Sequence, residues 1–183
     1  MRLLLAFALA AFAVQAVAQR PVEPSEWEKE QERRNWKEGE IKLPAYPRTE
    51  SLIEFEVAGS FRFFIDPASL AVGPDGVVRY TLVARSPAGY ANITYEGMRC
   101  STLSFKVFAS GNDGKWTERH ADWRRIEPKS MNDSHYQLRT NYFCPDRRPI
   151  DSAAEGVEAL RKRGHPRARA APHSGVKPLP SSG

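Results

Sequence analysis

The sequence predicts an α+β domain: an antiparallel β-meander of about five to six strands, covered by a C-terminal helix and stapled by a disulfide. Three observations predict it. From Leu52 onward apolar residues alternate with polar ones, the period of half-buried strands. Tight turn signals separate the runs, and short turns join antiparallel neighbours without the crossover helix that a parallel sheet needs. After Pro128 the apolar spacing becomes four, three and four, the period of a helix.

The strands run in order along the chain. Ile53, Phe55 and Val57 alternate with Glu54 and Glu56, giving one apolar and one acidic face. Gly59 breaks this run. Phe61–Ile65 is a second strand, ended by Asp66-Pro67, and Ser69–Val72 comes after it. Gly73-Pro-Asp-Gly76 is a turn. Val77–Arg85, β-branched and aromatic, is the clearest strand. Ser86-Pro-Ala-Gly89 closes a hairpin onto Asn92–Cys100. Leu103, Phe105, Val107 and Ala109 alternate next, Gly111–Gly114 turns again, and Trp116 opens a last extended piece toward Trp123 and Ile126.

Met131, His135, Leu138 and Tyr142 then mark one face of a helix ending near Cys144-Pro145. It can cover one face of the sheet. Cys100 closes a strand and Cys144 closes this helix. In an exported chain two cysteines are expected to pair, and closing a loop of roughly 45 residues contributes about 4 kcal/mol in the chain-entropy picture.

Export is expected from the N-terminus. Met1-Arg2 precedes an uncharged run from Leu3 to Gln19 that contains the small-any-small Ala16-Val-Ala18, so residues 1–18 read as a signal peptide cleaved after Ala18. The run is too short and Ala-rich for a stable membrane span. No cysteine stands at the cleavage point to carry a lipid. Residues 19–50 read as a polar helix or arm and a Pro-rich connector. Ser25 with Glu28 forms a capping-box pattern, Trp27 and Trp36 are set to pack on the main domain, and Leu43-Pro-Ala-Tyr-Pro47 is extended. Residues 51–144 form the core domain. Residues 145–183 read as a basic, Pro-rich, mostly disordered tail, with one marginal helix between Asp151 and Arg163.

Charge sharpens this division. The chain has 27 Lys+Arg against 22 Asp+Glu, a net charge of +5. Residues 19–144 hold 18 of each; one unit of the excess is Arg2 in the leader, and the other four lie in the tail, which has 8 basic and 4 acidic residues. A neutral, exported core argues against nucleic acid as a partner. The tail cations Arg161, Lys162, Arg163, Arg167 and Arg169 are the candidates for contact with an anionic lipid or lipopolysaccharide surface.

Several segments resemble the cryptic neisserial protein one-like family. They are Trp36-Lys-Glu, Leu43-Pro-Ala-Tyr-Pro, Phe64-Ile-Asp66 with Ser69-Leu70, Asp75-Gly-Val-Val-Arg-Tyr80, Asn92–Cys100, Gly114-Lys-Trp116 and Tyr142-Phe-Cys-Pro145. The most specific are DGVVRY and YEGMRC. The resemblance implies a small exported envelope protein of Gram-negative bacteria, in the periplasm or lipid-anchored, and it carries over no catalytic residue.

Candidate chemistry is sparse. His120 with Asp122, and Asp133 with His135, are metal-ligand types near one another, but without helical ligand spacing or a thiolate pair. Ser101, His120 and Asp122 can be written as a hydrolase triad, yet no nucleophile elbow is present. Arg79, Tyr80, Tyr95, Glu96 and Arg99 lie on adjacent strands of one hairpin. They are cross-strand charge pairs or, if register puts them on one exposed face, a polar binding patch. The expectation is a non-enzymatic binding or structural module of the envelope, without cofactor, whose partner is an envelope protein or component. The alternatives are the anionic-surface binder acting through the tail, and a periplasmic hydrolase or metalloprotein.

Overall fold

Residues 31, 34–127 and 133–170 are described by the structure, a computed structural model. The expected signal peptide, Trp27, most of the expected N-terminal polar helix, Met131 and the segment 171–183 lie outside the described residues. Gln31, Arg34 and Asn35 are helical. The unit that holds the sheet begins at Lys37.

Alternation and tight turns produce a meander. Strands β1 (Ile53–Phe55), β2 (Arg62–Val72), β3 (Val77–Arg85), β4 (Ala91–Arg99), β5 (Ser104–Asn112) and β6 (Lys115–Glu118) pair in sequence order, each antiparallel to the next. A two-residue strand, β7 (Arg124–Arg125), pairs with the start of β5. The α+β meander, its helical cover and the Cys100–Cys144 disulfide, with Cα atoms 5.4 Å apart, are as the sequence predicts.

Strand β2 does not end at Asp66-Pro67. It continues to Val72 through a bulge between Asp66 and Ala71. The reason is local polar chemistry. The Asp66 side chain accepts from Ala68 N, while Ser69 Oγ donates to Asp66 O and accepts from Thr81 N at 2.8 Å. The side chains replace the ladder bonds that proline interrupts.

Register divides the sheet into two faces. Val78, Tyr80, Leu82 and Met98 face the helices and pack with Leu138, Phe143 and Ile150. Helix α1 begins with a turn at Ser134–Gln137, capped by the Asp133 carboxylate, and continues as a π-helical segment, Leu138–Phe143. The other face presents Tyr95, Phe108 and Ala109 to Ile41, Leu43, Trp116 and Trp123. The connector is extended there, and Trp116 Nε1 donates to Pro44 O at 2.9 Å.

The tail reading is corrected here. Residues 145–170 are folded. Helix α2 (Ala153–Arg161), capped by Ser152, buries Gly156, Ala159 and Leu160. The short α3 (Pro166–Ala170) comes next. Ile150 and His165 are buried as well. The apolar face of α2 is too small to hold a helix alone, but β1, β2 and the π segment provide its partner surface.

Candidate functional site

The residues most able to do chemistry meet between β4 and α1. Glu96, directly opposite Tyr80 in register, is buried on the helix-covered face. Thr94, two residues earlier on the same face, donates its hydroxyl to Glu96 Oε1 at 2.7 Å. His135 is brought down onto the sheet by the first turn of α1, and its Nε2 lies 2.7 Å from Glu96 Oε2. Its Nδ1 lies 3.4 Å from Asp133 Oδ1. The imidazole also stacks on Phe105, with ring centroids 3.7 Å apart.

Burial pushes the His135 pKa down, but the Glu96 and Asp133 carboxylates more than offset it and raise it from 6.5 to about 9. His135 is therefore an imidazolium at neutral pH. The hydrogen bond from His135 and its positive charge hold Asp133 below the usual carboxylate range against the opposing effect of burial. The wholly buried Tyr80 hydroxyl is pushed well above the ordinary phenol range, first by burial and then by Glu96 beside it. Its O–H has no well-aligned acceptor among the described residues. With Nε2 on Glu96 and Nδ1 on Asp133, this histidine is not a free base. The cluster ties helix to sheet.

A second buried tie lies on the opposite face. Arg79 forms a two-pronged pair with Asp75 at 3.0 and 2.5 Å, and Asp75 Oδ2 also accepts from Gly39 N at 2.7 Å. This bond anchors the connector to the β2–β3 turn. Gly73 allows the close approach, because a Cβ there would collide with Arg79 Nη1.

The candidate patch is thus not a surface. Arg79, Tyr80, Tyr95 and Glu96 are buried, and Arg99 is half-buried. Register places Arg79, Tyr95 and Arg99 on one face and Tyr80 with Glu96 on the other. The connector lies over Arg79 and Tyr95, and the helices cover Tyr80 and Glu96.

The triad written from Ser101, His120 and Asp122 does not assemble. Ser101 precedes the start of β5, whereas the chain before His120 bonds to Phe108 on the same strand, about 13 Å further along. Among the described residues no three His, Cys, Asp or Glu side chains are grouped to hold a metal. Of the tail cations, Lys162 faces Glu158, Arg163 faces Glu56, and Arg167 faces Glu155. Arg161 is exposed, and the Arg169 side chain lies outside the described residues.

Concavities among the described residues include the following two. A small pocket of about 210 Å³ includes Ile41, Leu43, Lys106, Phe108, Arg119 and His120. An open groove of about 660 Å³ runs past Glu54 to Gly59, Phe61 and Arg163. Neither is legible along the chain, because each is formed by segments distant in sequence. The His135–Glu96 tie is equally hidden there, its partners lying 39 residues apart. Its available signal is a histidine on the apolar face of a helix.

Fold and site define a small sheet domain, covered on both faces, whose buried charged groups serve as ties between elements. More particularly, the chain belongs to the CNP1-like family, whose pattern matches residues 31–161. It is 29% identical to Cryptic neisserial protein 1 of Neisseria gonorrhoeae (strain ATCC 700825 / FA 1090), across 71% of this chain and 73% of that protein. No solved structure matches it. The DGVVRY and YEGMRC segments now have physical roles. The first supplies Asp75, Arg79 and Tyr80, and the second supplies Tyr95, Glu96, Gly97 and the bridged Cys100.

Proposed function

We propose that this is an exported protein of the periplasm, released by cleavage after Ala18, that works by binding a component of the envelope and not by catalysis. The observation that carries the reading is the use made of its reactive groups. The buried histidine–carboxylate cluster is closed on itself by Glu96, Asp133 and Thr94, while the open groove carries no such cluster. A disulfide-stapled core suits an oxidising compartment. The anionic-surface alternative draws less support, because Lys162, Arg163 and Arg167 each face a carboxylate.

In-cell crosslinking followed by fractionation tests the proposal. The expected result is a reproducible adduct in the periplasmic or envelope fraction, on a chain that begins at Gln19. An uncleaved chain in the cytoplasm, or persistent absence of any adduct, would overturn it.

A further inference from the structure

We propose that one end of the sheet is a membrane-contact surface: Phe61 and Tyr90, at the tips of the β1–β2 and β3–β4 loops, enter the headgroup region of a phospholipid bilayer, and Arg85 behind them meets the lipid phosphates. The inference rests on the binding function proposed for the domain and names the envelope component.

Few large apolar side chains are left in water. Among the described residues they are Tyr90, 80% exposed, and Phe61, 47% exposed. Register brings the two together. Arg62 is opposite Arg85, and Arg85 is opposite Ala91. Phe61 and Tyr90 immediately precede Arg62 and Ala91, so they stand at the same end of the sheet, two strands and about 10 Å apart. Their loops, residues 57–61 and 86–90, contain no charged residue. Single apolar side chains on a surface are ordinary, but two aromatic tips side by side on uncharged loops form a patch.

The main chain of the 86–90 loop is suited to leave water. Ser86 N donates to Tyr90 O at 2.9 Å, Gly89 N to Ser86 O at 3.0 Å, and Tyr90 N to Ser86 Oγ at 3.2 Å. Pro87 has no N–H. Addition of a peptide strand needs free main-chain groups, and recognition of a polar ligand needs several convergent polar side chains. The tips offer few of either. A lipid headgroup region requires neither, and it penalises unpaired main-chain groups. Aromatic rings with a polar tip, such as that of Tyr90, settle there.

Cations lie directly behind the rings. Arg62 and Arg85 face each other across β2 and β3, and both guanidinium groups lie over Phe64, 5.2 and 4.9 Å from its ring centre. Like charges so placed repel unless an anion is shared. Glu54 supplies one to Arg62, at 2.8 and 2.5 Å. Arg85 faces no carboxylate among the described residues. Glu56 pairs with Arg163, and Asp113 and Lys115 on the β5–β6 turn cancel, so Arg85 is the unbalanced charge of these loops. One residue behind the tips, it reaches lipid phosphates while the rings sit deeper.

The test centrifuges the exported chain with vesicles of phosphatidylglycerol and phosphatidylcholine in equal parts, and with phosphatidylcholine alone. Two rings and one cation give reversible binding, so millimolar lipid is used. The expected result is binding to the mixed vesicles that weakens as salt rises. Phe61→Ser with Tyr90→Ser should weaken it about tenfold or more, and Arg85→Gln about fivefold, with melting temperatures within a few degrees of the wild type. Tyr90→Ser alone serves if the Phe61 change perturbs the fold. In cells, a photoreactive amino acid at position 90 should capture lipid. The same probe at Ser101, in the β4–β5 turn at the opposite end of the sheet, should not. Binding unchanged in the Tyr90→Ser variant, no binding to either vesicle, or equal capture of lipid at 101 would overturn the membrane assignment. So would a protein or glycan adduct at 90, which would leave the binding reading intact. Displacement by inorganic phosphate at constant ionic strength would mark Arg85 as a site for a free anion and overturn it as well. Absence of vesicle binding together with absence of any adduct in cells would overturn both.

Discussion

The His135–Glu96 tie makes a prediction whose sign and size follow from its geometry. Folding raises the His135 pKa from an ordinary 6.5 to about 9, despite burial, because Glu96 and Asp133 face the ring. Between those values the folded chain holds a proton that the unfolded chain has released. Stability must then fall as pH rises, by about 1.4 kcal/mol per unit. The contribution is fully present below about pH 6.5, is lost progressively up to about pH 9, and amounts to about 3 kcal/mol. Only 17% of the side chain is exposed, so solvent screening removes little of it. The perturbation is His135→Gln, which retains a hydrogen-bond donor and removes the titration. Urea unfolding of both proteins, disulfide intact, from pH 6 to pH 10 is the assay. The difference in unfolding free energy between wild type and variant should shrink steeply across the window. Parallel curves for the two proteins would refute the assignment of His135 as a buried imidazolium.

Three further predictions concern the core. Replacing both Cys100 and Cys144 by serine should lower the unfolding free energy by about 4 kcal/mol, and a loss below about 1 kcal/mol in urea titration would deny the bridge its stabilising role. Gly97→Ala places a Cβ 2.6 Å from the Phe108 ring and 2.8 Å from Val77, so denaturation should report about 1–3 kcal/mol of destabilisation from overpacking. Leu160→Ala should cost about 2–5 kcal/mol, because this side chain is 1% exposed against the sheet. A neutral outcome there would restore the view of residues 145–170 as an unpacked tail.

Much of the fold was legible because its causes are local. Alternation marks a strand whatever its neighbours are, and Gly73-Pro-Asp-Gly76 or Gly111-Asn-Asp-Gly114 turns the chain through its own backbone preferences. Those turns placed β2 beside β3 and β5 beside β6. The period of four, three and four after Pro128 placed Leu138 and Tyr142 on one face of a helix, and both are buried. Asp66-Pro67 misled for the complementary reason. Proline ordinarily interrupts a strand, and the Ser69 hydroxyl that carries the ladder past it reaches Thr81, 12 residues on.

The candidate site was less legible. Arg79 and Tyr80 are adjacent in sequence, and only register could separate them, one onto Asp75 beneath the connector and the other beside Glu96 beneath the helices. A shift of one residue would have exchanged their faces. The tail misled in a related way. Ala153, Val157 and Leu160 form too small a stripe to hold a helix in water, so composition reads as disorder. Packing against β1, β2 and the π segment supplies the missing burial.

By itself, the sequence determined the meander, the helix that comes after it, the pairing of its two cysteines and the resemblance to the family to which it belongs. These depend on periodicity, turn chemistry and a count of thiols, all readable along the chain. Tertiary structure alone decided which charged residues are buried and that His135 meets Glu96. Each of these is a relation between segments far apart in the chain. Burial and electrostatic pairing depend on what lies across the fold, and a linear sequence does not state its neighbours in space.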